Sequence, residues 1–226
     1  MYLIDLREEA RAANSLSSLT RDVSVLCSDI YEEMEPEETM WMFTPAEQIE
    51  EKFWPVGMAA ADAVREQSPF VLKNIISRYQ DETRERQGKL SNSYEEILFM
   101  IKNKREYFFN KDAIRVEHVY EGNEWSDRKE GTSSYHDYNV RRYNPKGKDP
   151  GNVWLREIRT ETPNKTVDRI DSLPRSEAIL RCIRAGSQAG EHVTAIGFDE
   201  AIMTMLEEEG RDGMVVSINE FMNEGA

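Results

Sequence analysis

The stretch that decides the fold lies near the end of the chain and reads Gly190-Glu-His-Val-Thr-Ala-Ile-Gly197, then Ala201-Ile-Met-Thr-Met-Leu-Glu-Glu-Glu-Gly210, then Met214-Val-Val-Ser-Ile218. The first and last pieces are short and apolar, which is typical of buried strands. In the middle piece, apolar residues recur at helical spacing opposite three glutamates, and a glycine follows as a helix terminator. This order predicts a β-α-β unit.

The turn inside this unit lacks the residues that usually contact a ligand. A nucleotide-binding β-α-β unit has glycines in its first strand-to-helix turn, so that the backbone can approach the ligand, and an acid after its second strand to bind ribose. Here the turn reads Gly197-Phe-Asp-Glu-Ala201, and Ser217 stands at the acid's place. The sequence therefore predicts the scaffold of such a unit without its ligand-binding residues.

Upstream segments extend this unit into a larger α/β fold. We predict strands at Tyr2–Ile4, Val23–Cys27, Thr39–Phe43 and Phe70–Ile76, helices over Pro45–Gln67 and Pro174–Ala185, and a hairpin from Ile97 to Phe109 that turns at Lys102–Arg105. Strands separated by helices indicate a Rossmann-like, mostly parallel twisted sheet with flanking helices, to which the hairpin adds an antiparallel edge. We expect one α/β domain over residues 1–226, with 119–150 as a long polar loop or a small recognition insertion.

The composition limits the choice of partners. The 226 residues include 43 acidic and 29 basic side chains, a formal net charge of -14. A chain this acidic binds nucleic acid poorly unless a local basic surface makes the contact. The acid excess suits a salt-rich, halophilic cytoplasm and equally an ordinary soluble acidic protein. No apolar run reaches the length of a membrane span and the start lacks a signal peptide's basic residues, so we expect a cytoplasmic protein without a membrane partner.

The cysteines and histidines give no sign of a metal site. Cys27 and Cys182 lie in apolar surroundings, and we expect them to be small buried residues in a reducing compartment. The histidines at positions 118, 136 and 192 have no metal-like spacing with one another or with the cysteines. We therefore predict that no metal is bound.

Three segments carry the motifs of a known family. They are Asn92–Asn110, which reads like "S-H-E-x-I-L-x-x-x-K-x-x-x-Y-x-F"; Asn144–Trp154, which reads like "N-P-x-G-K-x-P-x-D-V-W"; and Ser172–Ser187, a helix before a strand. Together they resemble the DNA amino-methyltransferases that use S-adenosylmethionine, in the permuted order in which the catalytic half precedes the cofactor half. The resemblance covers nearly the whole chain and implies that family's fold.

The family's catalytic motif is an acid, Asn or Ser, followed by two prolines and an aromatic residue. The resemblance implies that Ser28-Asp-Ile-Tyr31 takes this place, with Ser28 holding the target amine and Tyr31 stacking on a flipped base. Both prolines, which fix the direction of a backbone carbonyl, are missing. An ordinary strand end is the alternative interpretation of this tetrapeptide.

The family's cofactor motif, D-P-F-x-G-x-G, departs further. The resemblance implies a cofactor site at Ala195, Gly197, Phe198, Asp199 and Ser217, but Asp199 and Ala201 replace both glycines and no acid leads the run. Asp199 adds bulk and negative charge where bare backbone should meet the methionine part of the cofactor. Each lost charged contact weakens binding by ~1.5–3 kcal/mol. We therefore predict that no cofactor is bound; S-adenosylmethionine would be the cofactor of an active protein.

Basic residues interleaved with tyrosines form the candidate nucleic-acid surface. They are Arg84, Arg86 and Lys89 before the predicted hairpin, and Arg141, Arg142, Lys146 and Lys148 in the polar segment. The resembled enzymes approach DNA with these regions, and such side chains suit phosphate contacts and base stacking. The alternatives are a solvated loop that balances nearby acids and a loop that orders on a protein partner.

Three hypotheses follow. The favoured one is a catalytically degenerate methyltransferase homologue, not an enzyme, that acts as a DNA-recognition or protein-interaction subunit and pairs with itself or with an active relative. The second is a divergent but active DNA amino-methyltransferase. The third is a structural or assembly protein built on this fold, for which no residue argues directly.

Overall fold

The computed structural model describes residues 1–49, 52–80, 93–118, 144–159 and 167–224. The strands in these ranges are β1 (Tyr2–Asp5), β2 (Thr39–Thr44), β3 (Ala46–Ile49), β4 (Lys52–Pro55), β5 (Val71–Tyr79), β6 (Tyr94–Ile101), β7 (Val153–Trp154), β8 (Arg156–Arg159), β9 (Val167–Asp171), β10 (His192–Ile196) and β11 (Asp212–Val216). The helices are α1 (Arg7–Ala12), α2 (Leu16–Glu33), α3 (Val56–Gln67), α4 (Arg175–Gly186), α5 (Ala201–Glu208) and α6 (Ile218–Glu224), with a 3-10 turn at Lys111–Ile114.

Seven strands form the central sheet, in the order β11-β10-β1-β2-β6-β5-β7. The first four run parallel, with Ile4 of β1 opposite both Ile196 and Met42. Strand β6 is antiparallel to its neighbours β2 and β5. These pairings confirm the predicted Rossmann-like, mostly parallel sheet with an antiparallel component.

Helices cover both faces of this sheet. Along β1, Tyr2 and Ile4 pack into the core on one face, while Leu3 packs into the core on the other, because successive strand residues point to opposite faces. The first core contains α2, α3 and α6, and the second contains α4 and α5. Burial on both faces explains why this strand is a continuous apolar run.

The carboxyl-terminal β-α-β unit is confirmed. Strands β10 and β11 are parallel neighbours joined by α5, and Ile202 and Leu206 are the buried residues of that helix. Gly210 has a positive φ of 68° just after the helix, as expected of a glycine that ends one.

The predicted strand at Val23–Cys27 is wrong, because these residues lie in α2. The hydroxyl of Ser15 accepts the Ser18 N–H at 3.0 Å in a capping box, which starts the helix. Leu19, Val23, Leu26 and Ile30 then recur on the buried face, at helical spacing. A short apolar run cannot by itself distinguish a buried strand from one face of a helix.

The predicted helix over Pro45–Gln67 is wrong in its first half. Strands β3 and β4 form an antiparallel pair there, and the helix begins only at Val56. Pro55 explains the boundary, because a proline lacks the N–H that a helix interior needs and disfavours helical backbone at the residue before it.

The predicted hairpin between Ile97 and Phe109 is also wrong. Strand β6 already pairs along both edges, with β2 and with β5, so no edge is free for the segment that follows it. That segment crosses the sheet instead: the Phe108 N–H donates to the Glu37 carbonyl at 2.7 Å, and the Asn110 N–H donates to the Ala185 carbonyl at 2.8 Å.

Much of the polar segment predicted over 119–150 lies outside the described residues, which resume at Asn144. The end of the segment is held by a two-way backbone bridge between Val116 and Lys148, at 3.0 and 2.7 Å. Within the described residues no helix is long and apolar enough to cross a membrane. Cys27 and Cys182 are both free and buried as predicted, and burial raises the pKa of the Cys27 thiol to about 12.

Candidate functional site

The parallel strands end at one edge of the sheet, where β1 and β10 lie side by side. From β1 the chain passes through α1 and α2 to β2 on one side, and from β10 it passes through α5 to β11 on the other. Connections that leave in opposite directions open a crevice between the two strand ends, which is the usual ligand site of such sheets. Asp5 and Gly197 stand at this point, hereafter the β1/β10 crevice.

Gly197 brings the two strand ends into close contact. Its φ is +75°, and its N–H donates to the Val216 carbonyl at 2.9 Å. A Cβ atom at this position would lie 2.5 Å from the carbonyl oxygen of Asp5, well inside any real contact distance. Both the backbone angle and the missing space therefore require glycine here.

Asp5 is a buried carboxylate with an exposed fraction of only 2%. Two nitrogens of Arg7 lie against one of its oxygens, with Nε 3.0 Å and Nη2 2.8 Å from Oδ2. The Arg7 backbone N–H donates to Oδ1 at 3.1 Å, and Arg175 Nη2 lies 3.0 Å from Oδ1. Arg7 thus hydrogen-bonds both oxygens of this acid, and Arg175 adds a second positive charge at ion-pair distance.

The ion pair continues inward from Arg175. Its Nε donates to Glu95 Oε1 at 2.9 Å, and Arg78 Nε donates to Glu95 Oε2 at 2.7 Å. Arg78 also donates to the Leu173 carbonyl at 2.8 Å. Three guanidiniums and two carboxylates therefore form one chain from Arg7 to Arg78, hereafter the arginine–carboxylate chain.

Two aromatic rings hold Arg175 in the crevice. Its guanidinium carbon lies 4.9 Å from the ring centroid of Phe43 and 5.7 Å from that of Phe198. The two rings meet edge to face, with centroids 5.9 Å apart. Since cation–π contacts of this kind are attractive, the arginine is fixed between the ends of β2 and β10.

The remaining residues of the predicted cofactor site are buried in a strand or form hydrogen bonds with residues close to them in the sequence. Ala195 is buried within β10, and the exposed Asp199 accepts the Ala201 N–H at 3.0 Å, at the start of α5. Ser217 caps α6: its Oγ accepts the Glu220 N–H at 3.2 Å and donates to Glu220 Oε2 at 2.7 Å. The hydrogen bonds from the Ser217 backbone and side chain lower the pKa of Glu220.

The structure does not bring Ser28 and Tyr31 to the β1/β10 crevice. Both lie in α2, where the exposed Ser28 donates its hydroxyl to the Ser24 carbonyl at 2.9 Å. The Tyr31 ring packs edge-on against Phe70 and lies 4.6 Å below the ammonium of Lys102. Lys102 follows the last residue of β6, which pairs with the first residue of β2. It therefore lies near the amino-terminal ends of the parallel strands, whereas Asp5 lies at their carboxyl ends.

Asp5 is the acid that the sequence analysis missed. It ends the strand next to β10 and is followed by Leu6, Arg7 and Glu8. This acid could have been recognised in the sequence, because it directly follows the apolar run Tyr2–Ile4 that was predicted to be a strand.

The candidate nucleic-acid residues are only partly described. Arg84, Arg86, Lys89, Arg141 and Arg142 lie outside the described residues. Lys146 pairs with Asp112, and Lys148 lies 2.8 Å from Glu157. The hydrogen bonds from Lys146 and Arg115 lower the pKa of Asp112. Both lysines are exposed and engaged in ion pairs within the chain.

Known proteins share this architecture. A solved PvuII DNA methyltransferase, cytosine-N4-specific, matches with a TM-score of 0.61 at 8% identity, over 99% of this chain and 84% of that chain. A Thermus thermophilus protein predicted to be a DNA modification methylase matches with a TM-score of 0.58 at 12% identity, over 99% and 84%. Its complex with S-adenosyl-L-methionine matches with a TM-score of 0.50 at 14% identity, over 99% and 83%.

At such low identities these likenesses show the fold alone. A search of curated proteins finds no match. The sequence model of the N6/N4 methyltransferases, described as DNA methylase, matches residues 6–194, which is most of the chain. The protein therefore belongs to the DNA methylase family of amino-methyltransferases.

Proposed function

We propose that this protein is a catalytically degenerate DNA amino-methyltransferase that acts as a DNA-recognition or protein-interaction subunit. One observation carries the proposal: Asp5, at the carboxyl end of β1 in the β1/β10 crevice, is bound by Arg7 and Arg175. Arg7 donates three hydrogen bonds to the oxygens of Asp5, and Arg175 adds a second positive charge 3.0 Å from Oδ1. A target amine would have to compete with these charged groups for the carboxylate, so Asp5 is poorly placed to hold it.

The residues around Asp5 support the same conclusion. In the family's catalytic motif, an acid, Asn or Ser is followed by two prolines and an aromatic residue. At the end of β1 the sequence is Asp5-Leu-Arg-Glu8, which keeps the acid and changes the other three positions. Leu6 is buried and Glu8 is exposed, so an acidic side chain stands where the motif has its aromatic residue.

S-adenosylmethionine does not fit the residues of the crevice. The donor carries a positive sulfonium, and the guanidinium of Arg175 already lies between the rings of Phe43 and Phe198 in the crevice. Like charges in a poorly solvated site repel strongly. Asp199 adds a side chain at the start of α5, where the family's glycines leave backbone free for the ligand. The residues of the crevice therefore do not support methyl transfer by this chain.

The first prediction concerns this cofactor. We expect isothermal titration calorimetry to detect no saturable binding of S-adenosylmethionine up to millimolar concentration, and the melting temperature to stay unchanged. A ligand at one hundred times its Kd would stabilise the fold by about 2.7 kcal/mol, which a thermal scan resolves easily. A family member with intact motifs is the positive control. Micromolar binding to the purified chain would contradict the proposal.

The second prediction concerns DNA, which we propose as a partner through Arg141 and Arg142. We expect the double variant Arg141→Ala/Arg142→Ala to weaken duplex binding and to reduce the slope of log K against log salt by about two, since each phosphate contact contributes about one. Lys104→Ala/Arg105→Ala is the matched control, because both side chains are exposed in the turn after β6. Fluorescence anisotropy at several salt concentrations measures both.

If duplex binding is absent even at low salt, the DNA-recognition role is excluded and a protein-interaction role remains. A homo-oligomer or a complex with an active relative is then expected. Sedimentation of the chain alone, and with a methyltransferase encoded beside it, separates these two cases. A chain that sediments as a monomer in both experiments would exclude the protein-interaction role as well.

One observation favours the alternative of a divergent active enzyme. The position at the end of β1 is still an acid, and Gly197 still brings the cofactor strand against it. Transfer of labelled methyl groups onto duplex DNA by the purified chain would establish that alternative.

A further inference from the structure

Strand β5 contains a bulge. This strand lies near the β7 edge of the sheet, away from the β1/β10 crevice. The pairing with β6 places Leu72 opposite Met100 and Asn74 opposite Phe99, so that Lys73 is the extra residue. A bulge re-aims the side chains around it. Here it lets the consecutive residues Lys73 and Asn74 line one cavity, although strand residues normally alternate between faces.

The floor of this cavity is aromatic. The rings of Trp41 and Phe99 are stacked, with centroids 4.2 Å apart and planes 11° apart. Phe109 stacks on Phe99 at 5.3 Å, and Tyr107 meets Phe99 edge-on at 6.2 Å. Trp41 and Phe99 are buried, whereas Tyr107 and Phe109 are half-buried and reach the opening. The segment that crosses the sheet after β6 supplies these two outer rings.

A positively charged side chain, that of Lys73, lies at the rim of this cavity. The Lys73 ammonium lies 5.1 Å from the centroid of the Tyr107 ring, and the side chain is exposed. Within the described residues no carboxylate forms an ion pair with it, whereas Lys111 on the same rim pairs with Asp149 at 2.6 Å. A lysine that has no ion-pair partner in the described part of the chain and lies over aromatic rings offers a local site for an anion with a flat ring.

We propose that this cavity binds a nucleobase together with its phosphate. The volume is about 390 Å³, within the range of small-molecule sites. The base would stack against Tyr107 and Phe109, while Lys73 contacts the phosphate, since stacking and an ammonium–phosphate pair are the two contacts that single-stranded nucleic acid and free nucleotides share. The inference does not depend on the basic residues proposed to contact duplex DNA, although Asp149 and Pro150, which follow Lys148, line the cavity.

Calorimetric titration with three probes tests this inference: deoxyadenosine, its 5′-monophosphate, and a ten-residue oligothymidylate. We expect Lys73→Ala to weaken binding of the monophosphate about tenfold and to leave the nucleoside unchanged, because only the phosphate contacts the ammonium. Lys104→Ala, an exposed lysine away from the cavity, is the matched control. Tyr107→Leu is expected to weaken all three probes.

A measurement on the unaltered protein accompanies the variants. The indole N–H signals of Trp41 and Trp154, which line the cavity, are expected to shift in NMR spectra on addition of ligand, and that of Trp54, on β4, is not. Saturation by the monophosphate identifies a free nucleotide, and saturation by the oligonucleotide alone identifies single-stranded DNA. Equal binding of nucleoside and monophosphate, an unchanged affinity in Lys73→Ala, or no binding of any probe would overturn the inference.

Discussion

Replacing Gly197 with alanine is expected to destabilise the protein by about 2–5 kcal/mol. A non-glycine residue at this left-handed backbone angle costs about 1–2 kcal/mol. The new Cβ would also lie 2.5 Å from the Asp5 carbonyl oxygen, and forced overpacking of this kind costs a further ~1–3 kcal/mol. Urea unfolding should show a lower midpoint with an unchanged m-value.

The matched control is Gly151→Ala. Gly151 has a similar φ of +67°, but no atom lies within 4 Å of the Cβ that alanine would add. This variant should therefore lose only the backbone contribution, about 1–2 kcal/mol. If the two variants are equally destabilised, the close approach of β1 and β10 at Gly197 is not present in solution.

The second large effect is expected for Arg78→Met. Glu95 is buried, and the substitution removes one of its two arginines together with the bond to the Leu173 carbonyl. Breaking one side of a buried ion pair destabilises a protein by about 3–5 kcal/mol, because the partner charge stays buried. Chemical denaturation should report a loss in this range.

Two further variants test whether burial of the ion pair causes the destabilisation expected for Arg78→Met. Arg65→Ala removes an exposed arginine that pairs with Asp62 at 3.0 Å, and its expected effect is below about 0.5 kcal/mol. Arg78→Met combined with Glu95→Gln should recover part of the loss, since the buried charge is then removed as well. A loss in Arg78→Met no greater than that in Arg65→Ala would mean that Glu95 is solvated.

The sequence predicted the carboxyl-terminal half of the sheet best. Strand β10, helix α5 and strand β11 follow one another closely, and each shows its own period within a few residues. The fold class followed from these elements, because a β-α-β crossover implies parallel neighbours. Local patterns were sufficient there.

The sequence predicted the amino-terminal half less well, for two physical reasons. The apolar residues of α2 at positions 23, 26 and 27 fit either period over so short a window, and only the serine cap at Ser15 decides between them. The failed hairpin has a different origin. The strand partners of β6 are set by packing of the whole sheet, which no short window contains.

The candidate site could not be read from spacing alone. Asp5 is joined to Arg175 and, through it, to Glu95, residues far apart in the chain. No spacing in the sequence indicates that these residues form ion pairs with one another. The expectation that a β-α-β turn with Asp199 and Ala201 in place of the family's two glycines is poorly suited to a ligand stays a prediction, and the titration with S-adenosylmethionine tests it.

The shared arginine has a consequence for how this sequence can change. Because Arg175 pairs with two buried acids at once, its loss would leave Asp5 with Arg7 alone and Glu95 with Arg78 alone. Loss of either acid would in turn leave buried positive charge behind. We therefore expect substitutions at these five positions to be tolerated better in pairs than singly, so that a return to a free carboxylate at the end of β1 would pass through a less stable variant.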